Sequence, residues 1–206
     1  IDAAAEIRRF LLTLNSHRPT PYMSKRYYTL LLFFLSISTL ANLLQAILHF
    51  IARSPISLYD VYIGWYVVTS LIQLATMFLL VQYYRFKRWK WIHITAVVSL
   101  VIHAAFGIAA FAMLQYHQLT GWYQPGLTIA LVADLLFSVS LLFTKQVWLR
   151  LAGWIQGITL LTLLWLINTN GRLDATTYAS IIKWATLITS LTPILFFVYF
   201  AKERVN

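Results

Sequence analysis

Residues 92–116 read IHITAVVSLVIHAAFGIAAFAMLQY, with no Asp, Glu, Lys or Arg anywhere between Ile92 and Tyr116. An α-helix rises about 1.5 Å per residue, so roughly 20 apolar residues cross a hydrocarbon core of about 30 Å. This stretch is long enough to do so. Because a bilayer interior holds no water to satisfy backbone polar groups, a segment of this kind must be helical.

The rest of the chain has the same character. Of 206 residues, 60% are hydrophobic and only 11% charged, against about 25% charged in an ordinary soluble domain, and the mean hydropathy is +0.72. Five further stretches meet the same length rule, giving spans at about 27–51, 59–84, 92–116, 122–144, 149–168 and 177–200. The connections are short, so successive helices are expected to be antiparallel neighbours in one bundle. The fold class expected is therefore an all-α integral membrane protein, an antiparallel bundle of six transmembrane helices covering 27–201.

Lysine and arginine set the orientation, since cytoplasmic loops are enriched in them. Arg8, Arg9, Arg18, Lys25 and Arg26 precede the first span; Arg85, Lys87, Arg88 and Lys90 join the second and third; Lys145 and Arg150 follow the fourth; Lys202 and Arg204 lie in the tail 202–206. Of the 16 basic residues only Arg53, Arg172 and Lys183 fall elsewhere. Both termini are therefore expected on the cytoplasmic side. A pI near 10.0 then reads as attraction to anionic lipid headgroups, not to nucleic acid. Outer membranes use barrels, so a bacterial inner, cytoplasmic-type membrane is the expected location.

Aromatic residues mark the same two edges. Tyr27, Tyr28, Tyr83, Tyr84, Trp89, Trp91 and Trp148 fall on the inner side; Tyr59, Tyr62, Trp65, Tyr66, Tyr116, Trp122, Tyr123 and Tyr178 on the outer. They read as headgroup anchors. Residues 1–26 fit neither a signal peptide nor a span, because charges interrupt them throughout. Ile7, Phe10, Leu11 and Leu14 recur at helical spacing opposite Arg8 and Arg9, which suits a short amphipathic helix lying in the interface or against a partner's cytoplasmic surface. A chain opening on Ile1 leaves room for residues upstream. Gly64-Trp65-Tyr66 and Gly121-Trp122-Tyr123 open the second and fourth spans at the spacing that superposes Trp91 on Trp148, a weak sign of duplicated hairpins.

Polar groups at membrane depth are costly and are the first places to look for function. Each span carries one: Asn42, Gln73, His103, Asp134, Gln156 and Lys183. Asp134 and His103 sit near mid-span and can meet. Lys183 lies roughly 9 Å below the outer end, within reach of either the interface or Asp134. An unpartnered carboxylate in hydrocarbon is expensive, and pairing with His103 or Lys183 lowers that cost. Asp134, His103 and Lys183 are expected to form a buried ionisable cluster lining a cavity open to the outer side, and with Asn42, Gln73 and Gln156 they are the candidates for ligand or ion binding. The competing expectation is that Asn42, Gln73 and Gln156 are interhelical glue, worth about 0.6 kcal/mol each. Ala104, Ala105, Gly107, Ala109 and Ala110 suggest a close-packed central third helix, and Pro193 a kink in the sixth.

Catalytic readings find little support. There is no cysteine, no His-Glu-x-x-His and no Gly-x-Ser-x-Gly turn. Of the six acidic residues, Asp2, Glu6, Asp174 and Glu203 lie outside the membrane, and Asp60 and Asp134 sit at different depths. Haem between paired histidines is disfavoured, since His49 and His117 share the outer edge while His93 and His103 do not match in depth, and no cofactor is expected. The reading favoured is a small-solute or ion binding or translocating component. The alternatives are a non-catalytic accessory or scaffold subunit of a membrane complex, with other subunits or further copies as partners, and the membrane part of a sensor.

Overall fold

The computed structural model describes residues 23–51, 59–115, 123–169 and 174–205. Among these every regular element is a helix: α1 (Lys25–Ile51), α2 (Tyr59–Phe86), α3 (Lys90–Gln115), α4 (Tyr123–Leu142), α5 (Val147–Asn168), α6 (Ala175–Thr189) and α7 (Thr192–Val205). Six helical stretches are long and apolar enough to cross a membrane, the sixth running from α6 into α7. The chain belongs to the class of multi-pass helical membrane proteins. The amphipathic pattern in residues 1–22, the arginines Arg53 and Arg172, the side chains of His49 and His117, and the Gly121-Trp122 half of the suggested repeat lie outside the described residues.

Each span packs on the next along the chain, and the circuit closes because α6 and α7 both pack on α5 and on α1. A ring of six spans has an interior bounded by all of them. That interior is filled differently at its two ends.

At the basic end the ring is solid. Leu31, Tyr83, Tyr84, Phe137, Leu141, Leu149 and Phe200 are fully or almost fully buried there. Tyr83 meets Phe200 edge-on with ring centroids 4.7 Å apart and Tyr199 at 6.2 Å, and its hydroxyl lies 2.6 Å from that of Tyr199. Edge-to-face pairs set positive ring edges against negative ring faces. The Tyr27 hydroxyl donates to the Leu79 carbonyl, and Lys87 forms an ion pair with Glu203, tying the end of α2 to α7. The expectation that this tyrosine pair anchors the headgroup layer is corrected here: Tyr83 and Tyr84 are 0% exposed. Their rings cement the helix ends to one another. Trp91, 77% exposed, does stand outward as an anchor would.

The turn from α2 to α3 shows how closely this end is built. The Trp89 N–H reaches back to the Tyr84 carbonyl (3.1 Å) and the Arg88 N–H to the Arg85 carbonyl (3.1 Å), a pattern that ends a helix by satisfying its last carbonyls. It requires Arg88 at φ 57°, a left-handed conformation that costs a non-glycine residue about 1–2 kcal/mol.

Two expectations about packing change. The close helix approach is not on α3: a Cβ at Gly107 would meet nothing within 4 Å, Ala105 and Ala109 are exposed, and α3 is the least buried span. It lies between α4 and α5, where a Cβ on Gly153 would come 2.7 Å from the Ser138 carbonyl. Gly153 and Gly157 straddle buried Ser138, so the backbones approach as only small residues allow. The second change is at Pro193, which does more than bend the last span. The helix stops at Thr189 and restarts at Thr192, because Pro193 has no N–H to offer the Thr189 carbonyl and its ring opposes continuation.

At the start of α6 the Asp174 side chain accepts the Thr177 N–H at 2.8 Å and the Thr176 hydroxyl. These bonds, the Thr176 hydroxyl foremost, hold the carboxyl below the usual aspartate range and cap free helix N–H groups.

Candidate functional site

Above the aromatic plug lies a partly open cavity of about 340 Å³ with lining residues from all six spans. That is the lower part of the range of small-ligand pockets, roughly 300–1,000 Å³. Asn42 comes from α1, Gln73 from α2, His103 from α3, Asp134 from α4 and Gln156 from α5; Thr189, Thr192 and Pro193 come from the break between α6 and α7. Five of the six candidate residues therefore border one space. Lys183, on α6, is not among the lining residues.

The chemistry centres on α3 and α4. Asp134 Oδ2 lies 3.3 Å from His103 Nε2, the side chains being 18% and 36% exposed. The Ser99 hydroxyl donates to Asp134 Oδ1 at 2.5 Å, and the Ser99 carbonyl lies 3.2 Å from His103 Nδ1. The helical spacing explains the double use of Ser99: residues i and i+4 share a face, so its carbonyl faces His103 from one turn earlier. A carbonyl can only accept, so this bond requires the proton on Nδ1. Nε2 and Oδ2 are then left facing each other. They share one proton when the pair is net neutral, held either as carboxylate and imidazolium or as carboxylic acid and imidazole.

The amides are arranged as a second group. Gln73 Nε2 donates to Asn42 Oδ1 at 3.3 Å, linking α2 to α1. That leaves the Asn42 amide nitrogen and the Gln73 oxygen as further donor and acceptor capacity. Thr192 contributes differently, being 6% exposed with a hydroxyl that has no hydrogen-bond partner. A buried, unsatisfied hydroxyl costs about 1–3 kcal/mol. Phe106, Phe137 and Phe196 supply apolar walls. Among the described residues no three of His, Asp or Glu come together; the polar groups bordering the cavity are one carboxylate, one imidazole, amides and hydroxyls.

Ser99 and Thr192 were not singled out from sequence. Ser99 carried a readable signal, its position one turn before His103 on the face that meets Asp134. Thr192 takes its place in the lining at the break before Pro193, where the helix restarts.

Comparison of the chain with family models, with curated proteins and with solved structures returns no match.

Proposed function

We propose that the chain binds a small polar solute or an ion in the central cavity and carries it across the membrane. The observation that carries this reading is the Asp134–His103 pair facing a cavity bordered by every span. A bilayer-depth carboxylate and a ring of amides and hydroxyls are expensive, and helix adhesion alone does not need them to border a common cavity. The proton shared by Asp134 and His103 is the exchangeable charge: a cation that binds the carboxylate displaces it to the water of the cavity, and when the cation leaves a proton is taken up again from that water.

The finer topology fits the same reading. An antiparallel order is supported by paired contacts that run in opposite directions on α3 and α4, Ser99 to Asp134 and Thr95 to Ser140. The basic end of the bundle, with Arg85, Lys87, Lys145 and Lys202, is taken as cytoplasmic under the positive-inside rule, in a cytoplasmic-type membrane. The plug at that end supports a resting form that is closed inward and accessible from the outer side. A broken helix lining the site at mid-depth is how many transporters offer backbone groups to a ligand.

The test is a thermal-shift screen of purified protein against alkali cations, amines and neutral polar solutes. One class is expected to raise the midpoint of wild type, by the equivalent of about 2.7 kcal/mol at 100 times Kd, and to leave Asp134→Asn unmoved. Asp134→Asn keeping the full shift contradicts the reading. The second reading, an accessory subunit of a membrane complex, is supported by the exposed apolar face of α3, with Val101 and Ile108 outward. A stoichiometric membrane partner after gentle extraction, together with no solute response, favours it.

A further inference from the structure

A second concavity lies on the outside of the ring at its basic end, between the start of α3 and the end of α4, with a volume of about 840 Å³. Its lining combines two lysines, Lys90 and Lys145, with Trp91, Leu136, Val139 and Phe143, and includes no carboxylate. Phe143 is 84% exposed. Neither lysine takes part in an ion pair among the described residues. Two helices begin beside it: the first three residues of α3 have no intrahelical acceptor for their N–H groups, and the His93 N–H is the first to find one, at Trp89. At α5 the preceding residue Gln146, itself in the lining, makes no side-chain cap. The starts of two helices and two lysines thus border one groove, a combination suited to a phosphate.

The other end is suited to hydrocarbon. The Thr95 and Ser140 hydroxyls are already spent, Thr95 donating to Ser140 at 2.9 Å and Ser140 to the Phe137 carbonyl at 2.6 Å, so these two offer no donor to a polar occupant. From Lys90 to Thr95 the groove runs roughly 7 Å into the membrane at about 1.5 Å per residue. An occupant must be anionic at the interface and apolar below it. The chain's own residues 1–22 do not fit, since they carry Arg8, Arg9 and Arg18 against Asp2 and Glu6 and would be repelled by the two lysines.

We propose that this groove is a binding site for one anionic phospholipid, its phosphate between Lys90 and Lys145 and an acyl chain along Leu136, Val139 and Phe143. Native mass spectrometry of the purified full chain, titrated with phosphatidylglycerol and phosphatidylcholine of identical acyl chains, tests it. Wild type is expected to retain one phosphatidylglycerol in preference by roughly 10- to 30-fold, as two lysines beside an anionic headgroup imply. The double variant Lys90→Gln, Lys145→Gln is expected to lose that preference, while Lys25→Gln, Arg26→Gln keeps it. Because both lysines are exposed, the double variant should unfold at the wild-type temperature. Equal retention of the two lipids by wild type, or an undiminished preference in the double variant, overturns the proposal. So does displacement of the lipid by inorganic phosphate at equal concentration, which would make this a free-phosphate site.

Discussion

On α2, Tyr83 is sealed among Tyr28, Trp89, Tyr199 and Phe200, whereas three turns earlier Gln73 and its neighbours Ser70 and Thr76 border a cavity. One helix therefore passes from a sealed aromatic cluster to the wall of a cavity. The order is the reverse of what lipid alone would select, since polar side chains are least costly at the interface and most costly at mid-depth. An interior built only to hold helices together would extend the aromatic packing inward. The contrast teaches that the basic end supplies rigidity and the middle is kept open and polar at an energetic cost.

The contrast can be broken by substitution. The largest effect is expected at the plug: Tyr83→Ala removes a fully buried ring and should cost about 3–5 kcal/mol, read as a lowered unfolding midpoint in detergent. Gly153→Ala comes next, because its Cβ would collide with the Ser138 carbonyl at 2.7 Å; about 1–3 kcal/mol is expected from overpacking. Gly107→Ala, with open space around it, should instead be neutral or slightly stabilising, since alanine is the better helix former by up to about 1 kcal/mol. A similar loss in both glycine variants would remove the distinction between the α4–α5 seam and the loosely packed α3. The smallest loss belongs to Gln73→Leu, which gives up the bond to Asn42 at about 0.6 kcal/mol. If ligand binding falls far more than stability in this variant, Gln73 belongs to the site and is not glue.

The spans were legible because length and absence of charge over stretches such as 92–116 leave a membrane helix as the only economical outcome. The meeting of Asp134 with His103 was legible for a related reason, both lying near mid-span on adjacent helices. Tyr83 and Tyr84 were misread because a tyrosine at a span end looks the same whether its ring faces headgroups or the next helix; the aromatic partners on α1 and α7 decide. The small-residue stripe of α3 misled likewise, for small residues permit close approach without requiring it, and Gly153 is identified only by what stands opposite. Lys183 was grouped with Asp134 by depth along its helix, but depth does not fix the rotational position that keeps it out of the cavity lining.

The absence of cysteine from the sequence gives a direct test of where the cavity opens. A single Gln73→Cys, in sealed vesicles of known orientation, is treated from either side with a membrane-impermeant thiol reagent. Labelling from the side opposite Lys87 and Lys145, slowed by the cavity's ligand, is the result expected. No labelling from either side, or labelling only from the basic side, would contradict an outward-accessible site at Asp134 and His103.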